Sequence, residues 1–346
     1  MKPAVAFFLV LASTAALAAT DAEIAELARR AAGGEQDARE RLEQLSHEGH
    51  GAASHMLGML AIAGRGMPKS ERRAIEYFHV GALRGRVDSA HNLGVVFQRA
   101  PDGLRDPKAA RIWFRYAAER GYAASQANLG EMLLEGSGGA RDEHEGRLWI
   151  ERAAAQGEPR ALYLLGMLHL EGRSGVEKDA ETAARLLARA AEGRDRDAQY
   201  RLALLYGTGQ GVEKDEPLAF KWLLEAAVQR LPEAEYLLAN VYERGLYGVA
   251  KDERAAAHWL RLAARQGHAE ANYALGLKYA EGRGVEKDAQ QALGWMLEAA
   301  RRGHPQANAF VRRVLERRKA DGEPDGASAS GTTQGEERTP AEERVR

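Results

Sequence analysis

No cysteine occurs anywhere in the 346 residues. That excludes disulfides, zinc–thiolate centres, iron–sulfur clusters, thiol nucleophiles and a lipid anchor on an N-terminal cysteine. Neither charge is in excess: 49 Lys and Arg stand against 50 Asp and Glu, a net charge of −1. Nucleic-acid binding needs a basic surface, so no nucleic-acid partner is expected. β-Branched residues are sparse, which leaves little material for a sheet. Long apolar runs are also missing, except near the start. There Lys2 precedes an apolar stretch from Ala4 to Ala12, and Ala16-Leu17-Ala18 forms a small-x-small pattern. This is the layout of a bacterial export signal, cut after Ala18 or Ala19. The stretch is shorter than the about 20 residues a membrane span requires. The mature protein is therefore expected in the periplasm or outside the cell, with no integral membrane span after cleavage.

What is abundant is alanine, and glycine at 37 residues. Together they favour helices punctuated by turns. A Leu-Gly or Leu-Ala pair begins at Leu57, Leu93, Leu129, Leu165, Leu202, Leu238 and Leu275, a period of 36 or 37 residues. Such self-similarity marks a repeat array. A small residue lies four before each Leu: Ala53, Ser89, Ser125, Ala161, Ala198, Ala234 and Ala271. Four after it come Ala61, Phe97, Leu133, His169, Tyr206, Tyr242 and Tyr279. A spacing of four puts all three columns on one face of a first helix. Gly64, Gly136, Gly172, Gly209, Gly245 and Gly282 then stand where a helix end wants a left-handed residue.

A second helix begins at Ser70, Asp106, Asp142, Asp179, Asp215, Asp252 or Asp288, whose side-chain oxygens suit an N-cap. Pro107 fits the first helical position, and Glu145, three after Asp142, is expected to complete a capping box. Seven after the cap lies Tyr77, Trp113, Trp149, Leu186, Trp222, Trp259 or Trp295. Pairs such as Ala117-Ala118, Ala153-Ala154 and Ala299-Ala300 follow four residues on. The strict column beside small residues assigns these rings to packing rather than to a stacking platform for sugars. All variation in length falls between the first and second helices, in the units starting at Leu165 and Leu238. An exposed turn absorbs an extra residue; a helix contact does not.

The pattern Ala-x-x-x-Leu-Gly-x-x-Tyr-x-x-Gly-x-Gly-Val-x-x-Asp, then Ala-x-x-Trp and Ala-Ala, resembles the Sel-1-like repeat, a relative of the tetratricopeptide repeat. The resemblance covers residues 49–303 in seven units. It implies an all-α fold, an α/α solenoid superhelix of helix-turn-helix repeats, and the role of a scaffold, adaptor or regulator. Residues 20–48 are expected to form two capping helices, Asp21 to Ala32 and Asp37 to His47, and residues 304–319 one more. From 320 to 346 the composition is too polar to bury a core, and a disordered tail is expected.

Chemistry finds little footing. His47, His50 and His55 do not match a paired-ligand spacing, so no metal or other cofactor is expected. Gly207-Thr208-Gly209-Gln210-Gly211 lacks the Lys-Ser/Thr ending of a phosphate loop and reads as the ordinary repeat turn. A cysteine-rich branch of the resembled family is associated with β-lactam hydrolysis, but those cysteines are missing here and no Ser-x-x-Lys occurs. No polar set breaking the repeat columns within one pocket is evident, so an enzyme is not expected.

A binding surface is easier to place. Two before each Leu, about 160° round the helix, stand His55, His91, Ala127, Tyr163, Tyr200, Tyr236 and Tyr273. Met167, Leu204 and Leu277, two after the Leu, lie beside that column, and Asp197, Glu233 and Glu270 edge it with negative charge. By similarity to tetratricopeptide arrays this face lines a concave groove. The tyrosines either form an aromatic ladder for a protein or peptide segment or pack against the adjacent repeat. The expected function is an exported interaction scaffold in bacterial envelope assembly or signalling. The alternatives are a regulator of a sensor or envelope enzyme, an assembly factor touching envelope glycan, and a hydrolase.

Overall fold

A computed structural model describes residues 19–320 apart from residue 102. The leader expected over residues 1–19 and the tail expected over 320–346 fall outside the described residues, save for Ala19 and Ala320. The described residues form seventeen helices and no strand. Two precede the repeats: α1 (Asp21–Ala32) and α2 (Gln36–His47). The repeat pairs are α3 (Gly51–Ala63) with α4 (Glu71–Leu83), α5 (Val87–Arg99) with α6 (Pro107–Glu119), α7 (Ala123–Glu135) with α8 (Glu143–Ala155), and α9 (Pro159–Glu171) with α10 (Ala180–Glu192). Then come α11 (Arg196–Thr208) with α12 (Glu216–Val228), α13 (Pro232–Arg244) with α14 (Glu253–Arg265), and α15 (Ala269–Glu281) with α16 (Ala289–Arg301). Helix α17 (Pro305–Ala320) follows. The chain divides after Asp195 into two compact units, the first holding α1–α10 and the second α11–α17.

Each pair is closed by a small-to-large fit. The residue after the recurrent Leu is Gly58, Gly94, Gly130, Gly166 or Gly276, and a Cβ there would come within 2.5–3.0 Å of Phe78, Phe114, Ile150, Leu187 or Met296. These side chains are fully buried, or within 2% of it. Each stands one residue after the tryptophan column, on the second helix. Alanine replaces the glycine only at Ala203 and Ala239, which share a core with Leu223 and Leu260. The tryptophans lie shallower: Trp113, Trp222 and Trp295 are half-buried. The deepest contact is thus made by the residue after the ring, against a missing side chain. The recurrent Leu is buried throughout except at Leu165, which is half-buried.

The caps form as the residue types require. Six first helices end on glycine at φ +64° to +76°. Helix α5 has no such glycine and ends in extended backbone at Ala100. Asp142 accepts the Glu145 amide hydrogen at 2.9 Å, but the capping box expected there is only half made. The Glu145 carboxylate turns to Arg115 (2.6 and 3.1 Å) and the Trp149 indole (3.0 Å), stronger partners than a helix-end amide. A complete capping box instead opens α1, between Thr20 and Glu23.

The turns carry the contact to the preceding helices. In the shorter turns Gly66, Gly138 and Gly284 have positive φ, and a Cβ would overlap the carbonyls of Ala31, Pro107 and Glu253. Backbone therefore lies directly on backbone. In the longer turns Ser174 and Tyr247 take left-handed φ, +58° and +55°, beside Gly175 and Gly248. The extra residue supplies a side chain for that contact: the Ser174 hydroxyl donates to Glu143 at 2.8 Å, and the Tyr247 ring lies over Gly207.

Candidate protein-binding face

The column two before each Leu lies on the first helices, and its chemistry changes along the chain. In the first unit His55 Nδ1 sits 3.0 Å from Ser89 Oγ, and His91 Nδ1 2.8 Å from Ser125 Oγ. Both hydroxyls belong to the small-residue column of the following repeat and are fully buried. In the second unit the column is tyrosine, and the small residue at the same register of the next repeat is Ala234, Ala271 or Ala307. A hydroxyl thus appears where the neighbour is imidazole, and a methyl where the neighbour is a ring with its own polar tip.

Asp88 Oδ1 also lies 3.6 Å from His55 Nδ1, so Ser89, His55 and Asp88 have the composition of a hydrolytic triad. The wiring is wrong for one. Both partners address the same ring nitrogen, whereas a relay needs one on each. Burial pushes the His55 imidazole below its ordinary range, and Arg86 adds to this against Asp88. His91 is held down to about 4 by burial and by the Arg99 charge. These are neutral histidines tying one repeat to the next.

In the second unit Tyr200, Tyr236 and Tyr273 are all half-buried. Tyr236 stacks on His268 with centroids 4.6 Å apart and planes 23° apart; Tyr273 stacks on His304 at 4.2 Å and 18°. Each imidazole also accepts a backbone amide hydrogen through Nδ1, from Ala271 (3.2 Å) and Ala307 (3.3 Å). They are helix caps and ring partners at once. Burial lowers the His268 pKa, although Glu270 and Glu233 pull it upward. Burial also raises the Tyr200 phenol, with Glu233 contributing the same way. Tyr200, Glu233, Tyr236, His268 and Glu270 therefore share one patch. Leu277 packs beside Tyr273 on Met296, and Leu204 is half-buried. Glu233 is exposed, Glu270 is 60% exposed and Asp197 is half-buried.

Tyr163 and Met167 belong to the first unit, where the Arg160 guanidinium lies 4.9 Å from the Tyr163 ring centroid and pairs with Glu131. Sequence reasoning missed the two histidines because cap positions carry different residues in each repeat.

It also missed buried polar groups. Three residues before the Leu stand Gln126, Gln199 and Glu235, each bonded at 2.7 Å to a glutamine just past the second helix: Gln156, Gln229 and Gln266. Burial raises the Glu235 pKa, opposed by Arg230 and by the Gln266 bond. Three residues after the Leu, six repeats place an apolar side chain and the seventh places Lys278, 1% exposed. Its ammonium lies 3.0 Å from Glu243 and 2.5 Å from Glu253. Lys278 thus places a single charge in an otherwise apolar column. Lys278 is an ion-paired core residue, and Arg283 completes the cluster at 3.0 Å from Glu243. No group of three or more metal-ligating side chains occurs among the described residues. No helix among them is long and apolar enough to cross a membrane.

The Sel1 repeat family model matches residues 51–85, 87–122, 123–158, 159–195, 196–229, 232–268 and 269–304. Among solved structures, the chain is similar to a Sel1 repeat protein from Oxalobacter formigenes: 28% identity, TM-score 0.60, 85% of this chain and 86% of that one. It is also similar to a protective antigen of uropathogenic Escherichia coli displaying an SLR fold: 26% identity, TM-score 0.59, 84% of this chain. It spans 61% of that antigen's length. None of the curated proteins matches it significantly in sequence. Proteins built of Sel1 repeats generally mediate protein–protein interaction. With seven consecutive units matched and the same small-to-large helix pairing recurring through them, the chain belongs to the Sel1 repeat family.

Proposed function

We propose that this protein is an exported scaffold that holds a basic segment of a partner protein on the first-helix face of its last three repeats. The observation that carries the reading is the stripe of half-open rings at Tyr200, Tyr236 and Tyr273, edged by the exposed carboxylates of Glu233 and Glu270. Rings stacked on histidine lose little side-chain entropy when a partner covers them, and their free edges and hydroxyls accept varied contacts. The carboxylates favour lysine and arginine on the partner and make encounter salt-dependent.

The test begins with crosslinking pull-down from envelope extract to obtain the partner, followed by titration of the purified pair. Glu233→Lys with Glu270→Lys is expected to weaken binding about tenfold and to flatten its salt dependence. Unchanged affinity and unchanged salt dependence would remove the acidic edge from the interface. Placement in the envelope rests on Lys2, the apolar stretch Ala4 to Ala12 and Ala16-Leu17-Ala18. N-terminal sequencing of native protein is expected to start at Ala19 or Thr20; a start at Met1 would contradict export with cleavage.

A further inference from the structure

The second helix of the second repeat, α6, presents a face unlike the other second helices. Ala110, Phe114, Ala117 and Ala118 bury one side. On the opposite side Lys108, Arg111, Ile112, Arg115, Tyr116 and Glu119, with Gly138 from the α7–α8 turn, line an open depression of about 570 Å³. Ile112 is 66% exposed in the middle of this face. The same position carries Glu76, Leu148, Arg185, Lys221, His258 or Gly294 in the other repeats. A branched apolar side chain left in water gains nothing for the helix and keeps its own hydration penalty.

The floor is open for a backbone reason. Gly138 has φ +70°, and a Cβ there would lie 2.2 Å from the Pro107 carbonyl oxygen. A Cβ on Gly139 would lie 2.7 Å from an Arg111 nitrogen. The turn therefore carries no side chains where it meets α6, and Arg111 is steered onto the Ala140 carbonyl at 2.9 Å. Arg115 is neutralised by its two bonds to Glu145 and forms a fixed wall. Glu119 sets one carboxylate at the far end of the lining and Glu145 lies within electrostatic reach of Arg111, but neither Lys108 nor Arg111 is ion-paired among the described residues, so the Lys108–Arg111 end keeps a positive charge. The Arg120 guanidinium lies 3.6 Å from the Tyr116 ring centroid and adds to that charge.

We propose that this face is a second binding site, which takes an acidic peptide segment carrying one apolar anchor. The anchor covers Ile112 and Tyr116, and the carboxylates meet Lys108 and Arg111. The site is independent of the tyrosine face and selects a segment of opposite charge to the one proposed there.

The test uses the full chain and short fluorescent peptides: an acidic peptide with a central leucine, its leucine-to-serine analogue, and its lysine-for-glutamate analogue. The acidic leucine peptide is expected to bind about tenfold or more tighter than either analogue, and more weakly as salt rises. Ile112→Asp and Lys108→Glu are each expected to weaken it about tenfold with thermal melting unchanged, since both positions are exposed. Tyr236→Ala is expected to leave it intact, which separates this site from the tyrosine face. The proposal is overturned if the acidic peptide does not bind, if the analogues bind equally, or if Ile112→Asp binds like the parent. It is equally overturned if sedimentation shows a dimer that Ile112→Asp dissolves, which would assign the face to a second copy of this chain.

Discussion

At the residue scale the fold rests on side chains that are absent. Gly130 lets Ile150 and the Gly146 carbonyl approach, and a Cβ would meet them at 2.6 and 2.8 Å. Backbone on one side cannot move aside, so Gly130→Ala is expected to destabilise by about 1–3 kcal/mol. Gly294, within α16, has nothing within 4 Å of a Cβ, and Gly294→Ala is expected to stabilise by about 0.5–1 kcal/mol through helix propensity. Thermal melting of the two variants decides it; shifts of the same sign would contradict the close-approach account. Lys278 gives the converse case. Replacing it by methionine removes a buried charge from an otherwise apolar column and is expected to change stability by no more than about 1 kcal/mol. Removing both carboxylates with Glu243→Ala and Glu253→Ala strands the ammonium and is expected to cost about 3–5 kcal/mol. A lysine variant worse than the double carboxylate variant would show that the cluster is net stabilising. The glycine column was legible in the sequence as the second residue of the recurrent Leu-Gly pair. Its partners at Phe78, Phe114 and Ile150 were not, because the adjacent position carries the larger ring in a stricter column, although it lies shallower. Lys278 was missed because a surface lysine and a buried one look alike until the apolar column around it is counted.

At the element scale, helices, caps and turns follow the local residue types closely. Each aspartate cap accepts first-turn amides, and the left-handed glycines stand where the sequence demands them. The failed capping box shows the limit of local reading, since Glu145 is drawn off by Arg115 from the preceding repeat. The histidine–serine ties have a pH consequence. His91 folded titrates at about 4, whereas an unfolded histidine titrates near about 6.5. The unfolded chain therefore takes the proton first. The contribution is fully present above pH about 6.5 and is lost as pH falls through about 4, at most about 3 kcal/mol. Replacing the pair by the arrangement used in the second unit, His91→Tyr with Ser125→Ala, is expected to flatten the acid-side slope of stability. Denaturant midpoints between pH 7 and pH 4 measure it. An equal slope in parent and variant would mean that His91 does not carry the acid sensitivity.

At the scale of the whole molecule, the period of 36 or 37 residues and the motif columns in phase with it make the repeat family legible in the sequence, because seven such units leave few other architectures. The tyrosine column was also legible. What the sequence could not show is that Tyr236 and Tyr273 stack on His268 and His304, or that Tyr163 belongs to a different compact unit. Those contacts depend on how one repeat meets the next, which spacing along a single helix does not contain. They also mean that the rings pack and remain half-open together, so stability and binding must be read separately. The most direct measurement is partner affinity for Tyr200→Ala with Tyr236→Ala, taken at a temperature where circular dichroism shows the variant fully folded. The account predicts a loss of about 2–4 kcal/mol, roughly thirtyfold to a thousandfold, beyond any change in melting. A fully folded double variant that binds the partner with parental affinity would contradict it and place the interface elsewhere on the protein.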